Sequence, residues 1–283
     1  MIEAIDYSEV LTEVSEKNVN LEITDGDLKA ISQIVGFDVT EPVPENRITV
    51  AEQWHTSPEK RAREQKIGRW LSIIAIPMSR FAIQRIRSFE ENPGTVAIES
   101  GFLGVEGAEN AHFEKIHKVQ TMVQGAPKKL SSPFDHTTFQ AGRNPKDGRI
   151  LKTRWAPLYR RMGIDELPQI EQVAKGRIPF VGLRGYTLPE LQGTELLIDM
   201  IKADLLEVTP LIRKLALRYQ AVISKYSPEP AVAGLLQTYK AKDTPPFVRM
   251  LLDLLYLEAA SKELDNKIIA KSILNRILGI GAR

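Results

Sequence analysis

Apolar residues recur three and four positions apart over 196–225 and again over 247–278, so each stretch reads as a long amphipathic helical segment. Shorter helical patterns fall at 7–14 and 27–35, after which Pro42 and Pro44 are expected to break regular structure. Ser57-Pro58-Glu59 is a helix start: a capping serine, a proline at the first helical position, and an acid in the first turn. Over 94–122, glycines accompany the alternating β-formers Val96, Ile98, Phe102, Val105 and Phe113, which predicts a small hairpin or ribbon. Residues 124–150 are rich in Pro, Gly, Ser and Lys and are read as loop, and a helical pattern resumes from Leu151. There is no internal repeat.

The helix opening at Ser57 has an unusual make-up. Lys60, Arg61, Arg63, Lys66 and Arg69 precede an apolar run over 70–78, Pro77 interrupts that run, and Arg80, Arg85 and Arg87 follow. One reading is a membrane-surface helix bent at Pro77. Its basic residues would each contribute about 1 kcal/mol on anionic headgroups, and Trp70 suits the interface. The other reading is a core helix with a solvated basic face. Periodicity alone favours the core helix.

Composition narrows the classes. At 43% apolar and 26% charged residues, the 283-residue chain can bury an ordinary core. It has no cysteine, which excludes disulfides, thiol catalysis and cysteine-ligated metals and fits a reducing compartment. Met1 to Asp6 contains neither a basic stretch nor an apolar run, so no signal peptide is expected. No stretch reaches the roughly 18 apolar residues of a spanning helix. The net charge of +2 conceals an asymmetry: residues 1–60 carry 13 acidic and 4 basic side chains, leaving the remainder strongly positive. That shift divides the chain into an acidic N-terminal extension, 1–60, and a second domain, 61–283.

Most site classes are absent. The four histidines, His55, His112, His117 and His136, contain no pair at the helical spacing of a zinc site. There is no Gly-x-Ser-x-Gly elbow and no phosphate-loop Gly-Lys-Ser/Thr. Gly101, Gly104 and Gly107 do not form a dinucleotide fingerprint. The basic patches lack interleaved aromatics, so no nucleic-acid partner is expected. Asp165-Glu166, taken alone, is what helix starts commonly carry as caps.

The longer string around that pair is more specific. It runs Arg160-Arg-Met-Gly-Ile-Asp-Glu-Leu-Pro-Gln-Ile, then Lys175-Gly176, then Phe180-Val-Gly-Leu-Arg184. Upstream stand Gly104, Gly107, Phe113, Lys118-Val-Gln-Thr-Met and Asp147-Gly-Arg-Ile. Downstream stand Pro230, Gly234-Leu-Leu-Gln237, Leu252-Asp253-x-x-Tyr256, Ser261 and Asp265-x-Lys267-Ile. In order and approximate spacing this series resembles the bacterial sugar transferases, the monotopic phosphoglycosyl transferases, over about residues 62–283. The resemblance implies an enzyme that moves a sugar 1-phosphate from a UDP-sugar to a polyprenyl phosphate at the cytoplasmic face of the inner membrane. It implies Asp165 as nucleophile, Glu166 as its partner, and a Mg²⁺ ion held by both. It further implies Arg160, Arg184 and Lys118 as phosphate-binding residues, and Trp70 and Pro77 on a membrane helix. A carboxylate is a competent covalent nucleophile once its repulsion from phosphate is offset, and guanidinium binds phosphate oxygens in pairs.

The chain departs from the family pattern at defined places. Pro-Arg-Pro is Leu183-Arg184-Gly185, an arginine is replaced by Gln120 and another by Phe102, and a serine is replaced by Gly163. Retention of Asp165-Glu166 fits an active transferase. Loss of the two arginines fits a non-catalytic relative that binds a nucleotide, a lipid or a partner enzyme. The fold class expected is α+β and mostly helical, with a Pro-bent membrane-surface helix, a small β-ribbon and amphipathic helices around the Asp-Glu loop.

Overall fold

In the computed structural model, the described residues are 22–88, 94–104, 107–121, 155–186, 188–226, 228–239 and 244–277. The expected helix at 7–14, the loop at 124–150 and the Asp147 motif lie outside them. The described chain is mostly helical, with one antiparallel β-ribbon.

Helix α1, Asp25–Val35, begins with a capping box in which Thr24 and Asp27 satisfy each other's backbone N–H groups. Helix α2, Glu45–His55, follows directly on Pro44. Pro42 and Pro44 lie, as expected, in the irregular stretch after α1, and α2 is a further element that starts where Pro44 stands outside the helix and no intrahelical N–H is required of it. Only Ala51 and Trp54 of α2 are buried, too few to mark a period in the sequence. Helix α3, Pro58–Arg87, starts where expected, with Ser57 accepting from the Glu59 N–H. It spans about 45 Å at the helical rise and continues through Pro77 to Arg87.

Strands β1, Thr95–Gly104, and β2, Gly107–Val119, pair antiparallel from Thr95↔Val119 to Gly104↔Gly107, with an irregularity between Phe102 and Gly104. Helix α4, Trp155–Met162, leads through a 3-10 turn, Ile164–Glu166, into α5, Pro168–Ala174. The two long segments expected downstream are each divided. The first becomes α6, Leu188–Lys202, and α7, Pro210–Tyr226, separated at Asp204, which has a positive φ of 55°. After α8, Leu235–Tyr239, the second becomes α9, Pro246–Ala259, and α10, Lys262–Ile277, parted where Ala260 turns extended and Ser261 accepts from the Leu264 N–H. Amphipathic spacing continued across both breaks, so the pattern concealed them.

Helix α9 is buried on every side from Phe247 to Ala259 and forms the axis of the main core. Ile31 and Val35 of α1 and Ala51 and Trp54 of α2 belong to that same core. A second, smaller core joins Ala82 and Ile86 of α3 to Val119, Ala156, Tyr159 and Ile164. Helices α3 and α5 meet closely at Gly68, where an added Cβ would lie 2.7 Å from the Ala174 backbone nitrogen. Gly68→Ala should therefore lower stability, since overpacking of about 1–3 kcal/mol outweighs the gain of about 1 kcal/mol in helix propensity. A denaturant midpoint at or above that of the wild type would show that the crossing is loose.

Candidate active site

The second core fixes the Asp-Glu turn. Ile164 is buried between α3, β2 and α4, and the next residue, Asp165, is only 7% exposed. Gly163 ends α4 in the left-handed region at φ 65°, a conformation glycine adopts without the strain a side chain would bring. Its N–H donates to the Arg160 carbonyl and its carbonyl accepts from the Glu166 N–H. Pro168 then starts α5 at a position that needs no N–H. The residue capping α5 is Leu167, and no side chain makes a capping hydrogen bond there. The pair is thus not the cap of the following helix.

The carboxylates are instead set beside cations. Lys118 Nζ at the end of β2 lies 3.3 Å from Glu166 Oε1. Arg160 Nη1 on α4 lies 3.9 Å from Asp165 Oδ2 and donates to Thr121 Oγ1 at 3.2 Å. Gln172 on α5 holds this geometry by accepting from the His117 N–H and donating to the Lys115 carbonyl, which ties α5 to β2. Four of the expected residues, Lys118, Arg160, Asp165 and Glu166, therefore converge from three elements. Among the described residues, Arg184 is not in hydrogen-bond or ion-pair contact with them. It stands half-buried on the segment after Leu183, which forms bridges Val181↔Ala233 and Leu183↔Pro230.

No group of three or more metal-binding side chains occurs among the described residues. Two adjacent carboxylates are nonetheless the donor set Mg²⁺ takes when substrate phosphates complete its shell. Asp165 and Glu166 fit a metal held jointly with substrate, and they do not form an all-protein cage.

Helix α3 presents two different faces along its apolar run. Ala75, Ser79, Ala82 and Ile86 pack inward. Trp70, Ile73 and Ile74 are 66%, 64% and 65% exposed, and Met78 and Phe81 continue the same stripe past the exposed Pro77. The Arg85 guanidinium lies over the rings of both Phe81 and Trp155 and links the stripe to α4. Among the described residues, no helix is long and apolar enough to cross a membrane.

Sequence reasoning missed the buried charges behind the site. Lys60 and Glu64, one turn apart among many surface charges, look like a solvated pair, yet both are buried. Lys60 Nζ donates to the Tyr256 hydroxyl at 2.7 Å and lies 3.5 Å from Asp265. Asp265 also accepts from Trp54 Nε1 and from Tyr256. Asp253 accepts from the hydroxyls of Tyr186 and Tyr219. The downstream motif residues thus serve as buried struts. Burial pushes the Asp253 carboxyl up to about 6. Burial likewise raises Glu64 to about 7, against the pull of Lys60 and of the Val181 and Phe180 N–H groups. Burial, with the nearby Lys60 charge, lowers His55 to about 4.

These shifts carry a sign. Folded Glu64 keeps its proton up to about pH 7, whereas the unfolded chain releases it near 4.5. Its contribution to stability is therefore complete below 4.5 and is lost as pH rises to about 7. Denaturation of wild type and Glu64→Gln across this window should show the wild type losing ground to the variant as pH rises. A difference that is flat or of opposite slope would contradict the burial of this carboxyl.

A family model described as bacterial sugar transferase matches residues 60–279. No curated protein matches the chain.

Proposed function

Because this chain belongs to the bacterial sugar transferase family, whose activity is sugar-phosphate transfer, we propose that it moves a sugar 1-phosphate from a UDP-sugar to a polyprenyl phosphate. The proposed place is the cytoplasmic face of the bacterial inner membrane, and the product initiates a glycan. The observation that carries this reading is the convergence of Asp165, Glu166, Arg160 and Lys118 on a turn packed against α3, whose outer face exposes an apolar stripe.

Asp165 would attack the phosphorus that bears the sugar. The bond from that phosphorus to the nucleoside monophosphate breaks, the monophosphate leaves with the electron pair, and the sugar phosphate is held as an aspartyl ester. A phosphate oxygen of the lipid then attacks the same phosphorus and returns the carboxylate of Asp165. Arg160, whose Nη1 lies 3.9 Å from Asp165 Oδ2, would offset the repulsion between the carboxylate and the incoming donor phosphates. Lys118 and Arg184 bind donor phosphate oxygens. Glu166 assists by holding the metal or accepting a proton. Mg²⁺ bound between Asp165, Glu166 and the substrate phosphates would neutralise their negative charge. The stripe of α3 would enter the headgroup region, as amphipathic interfacial helices do.

A second reading, a non-catalytic relative that binds a nucleotide, a lipid or a partner enzyme, is favoured by one feature. Phe102 and Gln120, which replace family arginines, are both buried, with Phe102 edge-on to Tyr186. Incubation with a panel of UDP-sugars, Mg²⁺ and bacterial lipid extract decides between them. Release of UMP with at least one donor is expected, and its absence from the whole panel would favour the second reading.

A further inference from the structure

We infer that Glu64 of α3 is a positioning residue for the Arg184 segment, so that the membrane-facing helix sets the donor-phosphate clamp. The inference rests on the reading of Arg184 as a phosphate-binding residue.

Glu64 is 2% exposed. Its two carboxylate oxygens accept from consecutive backbone N–H groups, Phe180 at 3.2 Å and Val181 at 3.1 Å. The other side of this segment is already engaged: the Ala233 N–H donates to the Phe180 carbonyl, the Gly182 N–H to the Ala233 carbonyl, and the Ala231 N–H to the Leu183 carbonyl. The Tyr256 hydroxyl meets the Val181 carbonyl. A pair of adjacent, inward-pointing N–H groups would be costly to bury without acceptors. The two carboxylate oxygens of Glu64 satisfy one each. Where the family has prolines on either side of the arginine, this chain has Leu183 and Gly185, so the backbone torsions there are not restricted by ring closure. Glu64 restrains this segment from outside it. Lys60, one turn earlier, anchors the same face of α3 to Tyr256 and Asp265.

The test is a four-protein cycle of wild type, Glu64→Gln, Arg184→Ala and the double variant. Each is titrated with inorganic pyrophosphate and Mg²⁺ by calorimetry at pH 8, where the carboxyl is ionised. Pyrophosphate stands for the diphosphate of any nucleotide donor, so the sugar and base need not be known. The Gln variant keeps shape but presents an N–H to one backbone N–H. We expect it to weaken pyrophosphate binding roughly 5- to 30-fold, and to weaken it no further once Arg184 is alanine, because both changes act through the same contact. Should Glu64→Gln fail to fold, Glu64→Asp, which keeps the charge but withdraws it by one methylene, takes its place in the cycle under the same criterion. Full additivity in the double variant, or wild-type affinity in the Glu64 variant, overturns the positioning role while leaving the clamp intact. Wild-type affinity in Arg184→Ala, or no pyrophosphate binding by the wild type, overturns the clamp and the positioning role together.

Discussion

Asp165→Asn is expected to abolish the burst of nucleoside monophosphate that the proposed covalent route predicts for the wild type with donor alone. In a two-step covalent route, the first step proceeds without acceptor until every enzyme molecule carries the sugar phosphate, so the burst equals the enzyme concentration and then stops. Asparagine keeps the shape of aspartate and has no carboxylate to form the ester. Turnover with lipid acceptor should fall by on the order of 10³-fold or more, as for other removed nucleophiles. The fold should survive. Asp165 does not cap α5, and Arg160 keeps its bond to Thr121 when the carboxylate is lost. Glu166→Gln should cost less, roughly 10²-fold, if Glu166 only assists proton transfer or metal holding. Quenched single-turnover measurements with radiolabelled donor read both effects. An undiminished burst in Asp165→Asn would remove the covalent mechanism.

The second large effect concerns α3. Exchange of Ile73 and Ile74 together for glutamate should reduce binding to anionic vesicles a hundredfold or more. Burying one such side chain is worth about 1.5–3 kcal/mol, and the new charges are repelled by the headgroups as well. Wild-type binding should be strongest at low salt and weaken as salt screens Arg69, Arg80 and their neighbours, with a salt-resistant remainder from apolar insertion. Stability should change little, because both isoleucines are already largely exposed in the fold. Flotation of wild type and variant measures this, and the emission of the exposed Trp70 offers an independent readout. Equal flotation of the two proteins would mean that the stripe does not meet the membrane.

The sequence made different parts of the molecule legible for different physical reasons. The start of α3 was plain because Ser57, Pro58 and Glu59 act locally on a helix end. The ribbon was plain because its alternation has a short period. The ends of α6 and α9 were hidden, since a non-glycine residue, Asp204, takes a positive φ and Ala260 turns extended, and only the helix starts beyond them, at Thr209-Pro210 and Ser261, carry marker residues. Asp165 and Glu166 were found through the ordered series of motifs around them and not from their own chemistry, which two adjacent acids do not reveal. Lys60 and Glu64 were illegible because burial of a charge depends on tertiary partners, Tyr256, Asp265 and the Val181 backbone, that lie far along the chain. Arg184 was named from the motif, but its restraint by α3 through the Phe180 and Val181 amides could be seen only in the fold.

The inward face of α3 bears on how this protein can be handled in solution. Gly68 seats the helix on α5, Ala82 and Ile86 complete the wall behind Ile164, and Lys60 and Glu64 are struts of the main body. The exposed apolar stripe and the Asp165 turn belong to one packed body. Cutting the chain after residue 87 to obtain a water-soluble catalytic fragment would remove part of the interior, and the remainder should precipitate or unfold. Solubility has to come from resurfacing, with polar residues placed at 70, 73, 74, 78 and 81 while the opposite face is left untouched.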